Sequence, residues 1–279
     1  MRVGHNPLAG QVAPHSLNDI VLTCVTHLPN QSGYHAGRME VIQTCLTSMR
    51  EHADAPHSIA IWDNGSCPEL REWLQDVFKP DVLILSENIG KNTARSMLFR
   101  MQHPNSVIGF CDDDIYFYPE WLSPQLEILR RFPNVACVTG YPVRTAFRWG
   151  NVNTKAWASV NAKLEYGRFI PDEWERDFAV SIGRDIGDHT KSTVADTDVK
   201  ITYNGLQAYA TSHHCQLLTT AKQMNRLAVF DNQAMASDRP FDEALDRIGL
   251  RLATINRYTR HIGNVLHAEL KKEIEAIRS

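Results

Sequence analysis

Three consecutive carboxylates, Asp112, Asp113 and Asp114, directly follow the apolar run Val107-Ile108-Gly109-Phe110-Cys111. Acidic runs most often end as solvated turns. Placement favours chemistry here: if the apolar run is a buried strand, the carboxylates leave its carboxyl end, the edge at which α/β sheets bind ligands. Adjacent like charges repel, and Mg²⁺ or Mn²⁺ held there would relieve the repulsion and recruit phosphate oxygens. A second polar group, Asp63-Asn64-Gly65-Ser66, ends another apolar run. Its composition is that of an ordinary turn, but an Asp at a strand end is also suited to accept hydrogen bonds from a base or ribose. Between them, Glu87-Asn88-Ile89-Gly90 leads into Lys91 and Arg95. That is a strand-to-helix junction with two cations one turn apart, at a helix amino terminus of the kind that attracts phosphate. Neither G-x-x-x-x-G-K-[ST] nor G-x-G-x-x-G occurs, so this is not a Walker or dinucleotide loop.

The elements that must position these groups follow from periodicity. Short apolar runs at 19–26, 58–62, 82–85, 106–111 and 135–139 read as buried strands. Between them, Met39, Ile42, Cys45, Leu46 and Met49 mark one helical face, and further helices are expected from Pro68, over Asn92 to Met101, and from Pro124 to about Phe132. This alternation predicts a mostly parallel α/β sheet covered on both faces. After Tyr141 the rhythm stops, and residues 144–205 are expected to form an irregular or antiparallel insertion. There Trp149, Trp157, Tyr166 and Trp174 lie among Arg144, Arg148 and Arg168, as a ring-binding platform or, slightly favoured, a small satellite core. Order resumes over 207–220 and through Ala244, Leu245, Ile248 and Leu252, and 266–277 reads as a terminal helix. The expected divisions are an N-terminal extension (1–18), a half of alternating strands and helices (19–141), a less periodic half (142–265) and the last helix (266–279).

With 279 residues, 43% of them hydrophobic, the chain can bury a large core. Its net charge of −3 gives no basic field for nonspecific nucleic-acid binding. No run approaches the roughly 20 apolar residues of a membrane span, and the six Cys show no C-x-x-C spacing. A soluble cytoplasmic protein with reduced core thiols is the expectation.

Taken in order, Thr26, Trp62-Asp63-Asn64-Gly65-Ser66, Glu87-Asn88-Ile89-Gly90, Ala94-Arg95 and Asp112-Asp113-Asp114 resemble the nucleotide-binding half of GT-A glycosyltransferases, especially family 2. No single motif decides this; their order and spacing do. The resemblance implies a base site at Thr26 and Asp63. It also implies a D-x-D pair, Asp112 contacting ribose or metal water and Asp114 contacting Mn²⁺ or Mg²⁺. The nucleotide-sugar set becomes Thr26, Asp63, Asn88, Gly90, Lys91, Arg95, Asp112 and Asp113. The metal set becomes Asp112, Asp114 and His261, the last from Arg260-His261-Ile262-Gly263-Asn264, which is similar to a late H-x-G-N element. Many members carry a Glu-Asp pair as the base, and this chain has none. The stretch Ser237 to Asp246 before Gly249-Leu250-Arg251-Leu252 is the nearest equivalent, which puts the base at Asp242, then Asp246 or Asp238. A capped helix start competes closely with that reading. His213-His214 lacks zinc-site spacing and is assigned an acceptor-side or structural role.

The expected activity is therefore metal-dependent transfer of a sugar from a nucleoside diphosphate sugar, UDP-linked by preference, to a glycan or other hydroxyl acceptor, with inversion implied by the family. A sugar nucleotidyltransferase would carry a Gly-rich basic loop after the first strand. The segment His27 to Gly37 has only Arg38 nearby. A non-catalytic nucleotide or glycan module is the other alternative, distinguished by absence of turnover.

Overall fold

In the computed structural model, residues 17–228 and 238–278 are described, with residues 4, 5, 7 and 10. Most of the expected N-terminal extension and Ser237 lie outside the described residues. The elements are β1 (Ile20–Thr26), α1 (Arg38–Glu51), β2 (Ser58–Asn64), α2 (Pro68–Trp73), β3 (Val82–Ser86), α3 (Lys91–Arg100), β4 (Val107–Cys111), β5 (Ile115–Phe117), α4 (Leu122–Arg131) and β6 (Val135–Thr139). They continue as α5 (Val152–Asn161), β7 (Lys163–Gly167), α6 (Asp172–Ser181), α7 (Ile186–Thr193), β8 (Asp198–Tyr203), β9 (Leu206–Tyr209), β10 (Gln216–Thr220), α8 (Ala221–Met224), α9 (Arg239–Ile248), β11 (Leu250–Ala253), β12 (Thr259–His261) and α10 (Ala268–Arg278).

One ten-stranded sheet has the order β3-β2-β1-β4-β10-β6-β11-β9-β8-β7. The run β3-β2-β1-β4 is parallel, as its continuous apolar strands require: every residue of β1 and β2 is buried, with α1 on one face and α3 on the other. Beyond β4 the sheet is mixed rather than mostly parallel. Strand β10 enters antiparallel between β4 and β6, and β11, β9, β8 and β7 follow with three antiparallel pairings. Since β10 comes from residues after Tyr141, one sheet crosses the expected division there.

The segment 144–205 is antiparallel, as expected, at β7 and β8, but it is not irregular: it carries α5, α6 and α7. The period is hard to see because these helices bury few residues each, three in α6 and two in α5. A separate ribbon pairs β5 with β12, register His261 to Ile115, and α10 closes over it through Leu270 and Ile274 against Tyr116 and Ile262. Among the described residues no helix is long and apolar enough to cross a membrane. All six cysteines are buried and unpaired.

Candidate active site

The parallel register sets Thr26 directly beside Asp63 at the carboxyl ends of β1 and β2. Asp63 is fully buried, accepting from Thr26 Oγ1 at 3.3 Å, the Ser66 amide at 3.2 Å and Arg71 Nε at 2.8 Å. Arg71 also donates to the Ser86 carbonyl at 2.8 Å, tying β2 to β3. Sequence reading missed it; its only signal was a cation one helical turn into α2. Gly65 has φ +85°, and a Cβ there would sit 2.8 Å from the Asn88 amide, so the two polar loops touch through backbone. Asn64 Oδ1 accepts from the Ile89 amide at 2.9 Å, and Asn88 Oδ1 accepts from Asn64 Nδ2 at 3.1 Å and from the Gly90 amide at 2.9 Å. The Asn88 side chain therefore fixes the loop that ends at Gly90, the residue capping α3.

The three carboxylates after β4 divide among Lys91, Arg38 and His261, with Arg38 shared by Asp113 and Asp114. Lys91 Nζ lies 2.7 Å from Asp112 Oδ1 and 2.8 Å from Oδ2. Burial pulls the Lys91 ammonium down, but Asp112 and Asp238 outweigh it and hold its pKa above the ordinary value. Asp113 turns inward, accepting from Arg38 Nη2 at 2.5 Å and from the His27 amide at 3.1 Å. Burial raises its pKa against the pull of Arg38. Asp113 thus has internal partners on both oxygens. Asp114 Oδ2 faces Arg38 Nη1 at 3.3 Å and His261 Nε2 at 3.4 Å. Its Oδ1 is buried with no hydrogen-bond partner.

The β5–β12 ribbon is what brings His261 there: the Ile262 amide donates to the Asp114 carbonyl at 2.7 Å. His261 Nδ1 pairs with Ser181 Oγ of α6 at 2.9 Å, which leaves Nε2 for Asp114. A carboxylate with one buried, unpartnered oxygen and the other 3.4 Å from an imidazole nitrogen offers oxygen and nitrogen donors of the kind that Mn²⁺ or Mg²⁺ takes. Asp112, on the far side of the pair, is held by Lys91.

The acids of α9 are placed less as expected. Asp246, one turn after Asp242, is buried and accepts from the Asn153 amide at 2.8 Å, the Thr154 amide at 3.0 Å and Thr154 Oγ1 at 2.8 Å. It caps α5 from outside that helix. Asp242 is 2% exposed, with Oδ1 on Arg251 Nη2 at 2.6 Å and Oδ2 on His214 Nδ1 at 3.1 Å. Both oxygens are engaged inside the protein, one by Arg251 and one by His214. Asp238 stands at the opening of α9, 3.5 Å from His214 Nε2 and 3.5 Å from Arg95 Nη1. Arg95 itself is buried, stacked 4.0 Å over the Phe241 ring and bonded to Asn92 Oδ1 at 2.7 Å. It joins α3 to α9.

Next to Asp112, whose amide donates to the Cys215 carbonyl at 2.8 Å, lie His213, His214 and Cys215, each with a ligand atom within 4.8 Å of the others. His213 Nδ1 is already against the Cys215 thiol, and burial, followed by His214 and His261, keeps its pKa well below the usual imidazole value. The aromatic insertion is largely a satellite core. Trp157 packs on Tyr203 with ring centres 5.3 Å apart, and Arg144 is buried against Asp198 at 3.0 Å.

Residues 25–183, more than half of the chain, match the sequence profile described as Glycosyl transferase family 2. The chain belongs to that family. No curated protein matches the family 2 chain in sequence. Among solved structures, it is similar to GalNAc-T7, crystallised with UDP, GalNAc and Mn²⁺, at a TM-score of 0.50 and 11% identity, over 87% of this chain and 42% of that one. It is also similar to the mannosyltransferase PcManGT of Pyrobaculum calidifontis, in complex with GDP-Man and Mn²⁺, at a TM-score of 0.45 and 14% identity, over 88% of this chain and 56% of that one. The family 2 chain thus spans well under two thirds of either. Its fold, a mixed sheet flanked by helices, is the GT-A arrangement.

Proposed function

We propose that this chain transfers a sugar from a nucleoside diphosphate sugar, UDP-linked by preference, to the hydroxyl of a glycan or other acceptor, with inversion at the anomeric carbon. The observation that carries the reading is Asp114: its Oδ1 is buried without a partner, its Oδ2 faces Arg38 Nη1 and His261 Nε2, and it stands two residues from the Lys91-bound Asp112. Family membership and the UDP and Mn²⁺ of the GalNAc-T7 crystals support it. Thr26 and Asp63 would receive the base at the ends of β1 and β2. Asp114 and His261 would hold Mn²⁺ or Mg²⁺, which when bound offsets negative charge on the leaving diphosphate. The Lys91 side chain, 43% exposed, is free to exchange Asp112 for a diphosphate oxygen. Six buried, unpaired cysteines support a reducing, cytoplasmic setting.

The test is release of nucleoside diphosphate from a panel of UDP- and GDP-sugars in Mn²⁺, using wild type and Asp114→Asn with folding checked by circular dichroism. Turnover by wild type and a loss of at least 100-fold in the folded variant are expected. Equal rates in both proteins, or no turnover of any donor, would overturn the reading.

A further inference from the structure

We propose that His214 is the general base that deprotonates the acceptor hydroxyl and that Asp242 is its positioning residue. The inference rests on the proposed transferase reading and concerns a step for which both oxygens of Asp242 and of Asp246 are already engaged inside the protein.

Asp242 is enclosed. Arg251, wholly buried, donates to Asp242 Oδ1 at 2.6 Å and is itself fixed by the Ser212 carbonyl at 2.7 Å and Ser212 Oγ at 2.9 Å. The remaining oxygen, Oδ2, meets His214 Nδ1 at 3.1 Å. A carboxylate that already accepts from an arginine faces the imidazole as an acceptor, so Nδ1 carries the hydrogen and the lone pair lies on Nε2. The imidazole is the outlet of the pair: the His214 side chain is 25% exposed and that of Asp242 only 3%. His214 Nε2 lies 3.5 Å from Asp238 Oδ2. Its chain neighbour Cys215 accepts from the Asp112 amide, which puts the imidazole beside the acidic cluster where the donor is expected.

The charged and titratable groups facing His214 are Asp242 and Asp238 from α9 and its start, and Arg251 through Asp242. His213 stacks on it with ring centres 4.5 Å apart, and Lys91 and Arg95 act through Asp238. In the transfer, the acceptor oxygen forms its bond to the anomeric carbon as the bond from that carbon to the diphosphate oxygen breaks. That electron pair leaves on the diphosphate. The acceptor proton passes to His214 Nε2, while Asp242 keeps accepting from Nδ1–H, and the imidazolium then releases the proton to solvent.

Two measurements on the full chain test this. The first is ¹⁵N NMR of labelled imidazoles at high pH, with His214 assigned by loss of its signal in His214→Gln. The Nδ1–H tautomer is expected, and the Nε2–H tautomer would overturn the proposal whatever the activity. The second is kcat/KM against pH with whichever nucleotide sugar the wild type turns over. His214→Gln is expected to lose 10²- to 10⁴-fold and the acidic limb of the profile, with UDP or GDP affinity kept within about twofold. Asp242→Asn is expected to displace that limb. A His214→Gln enzyme that retains rate and limb, or a limb that moves only in Asp238→Asn, would overturn it. Failure of the wild type to bind nucleotide or use any donor would instead count against the transferase reading, and the tautomer result would still decide the pairing.

Discussion

Lys91 and Asp112 form a two-oxygen ion pair, 2.7 and 2.8 Å long, between the start of α3 and the end of β4. In the proposed function this pair occupies the position of the donor diphosphate, so the cation must change partners on binding. Lys91→Met should weaken UDP or GDP binding about tenfold, the scale of one charge-assisted contact. Isothermal titration at two salt concentrations checks it, with the salt dependence reduced in the variant.

Asp246 provides the opposite case. It accepts three hydrogen bonds at the start of α5. Asp246→Ala should cost about 2 kcal/mol, read as a lower urea midpoint, because buried donors lose their acceptor. The rate per folded molecule should be unchanged.

Ser181 directs His261 by pairing with Nδ1 at 2.9 Å and leaving Nε2 to Asp114. Ser181→Ala should lower Mn²⁺ affinity about 10-fold, the effect of losing an orienting partner of a ligand imidazole. Electron paramagnetic resonance titration of free Mn²⁺ reads this without turnover.

Asp238 gives a pH dependence. Burial pushes its carboxyl up, but Lys91, then His214 and Arg95, pull it below the ordinary carboxylate range. A folded-state pKa below the unfolded one adds stability above the unfolded value, about 4, and loses it as pH falls through the folded value. Wild type should therefore lose Tm between pH 5 and 3 more steeply than Asp238→Asn. Parallel curves would contradict the assignment.

Much of this site was legible in residue order. Asp63 and Asp112 to Asp114 sit at strand ends because buried apolar runs must stop where polar groups begin, and parallel pairing then aligns those ends on one edge. What each acid does there was not legible. Asp112, Asp113 and Asp114 are chemically identical neighbours, yet Lys91, Arg38 and His261 divide them, and those partners are set by packing across as many as 147 positions of sequence, from Asp114 to His261. Arg38 carried little signal beyond being the first residue of α1. Asp242 and Asp246 share one helical face, and only the elements opposite, β11 and α5, give them different partners. Strand β10 was not foreseen as an antiparallel insertion because a short buried strand has the same apolar pattern in either direction.

The central claim is that Asp114 belongs to a metal-dependent nucleotide site. The direct measurement is calorimetric titration of UDP and GDP into wild type and Asp114→Asn, each with and without Mn²⁺. The account predicts that at least one nucleotide binds wild type at least tenfold more tightly with Mn²⁺, and that Asp114→Asn abolishes this gain. Binding that is indifferent to Mn²⁺, or a gain that survives in Asp114→Asn, would contradict it.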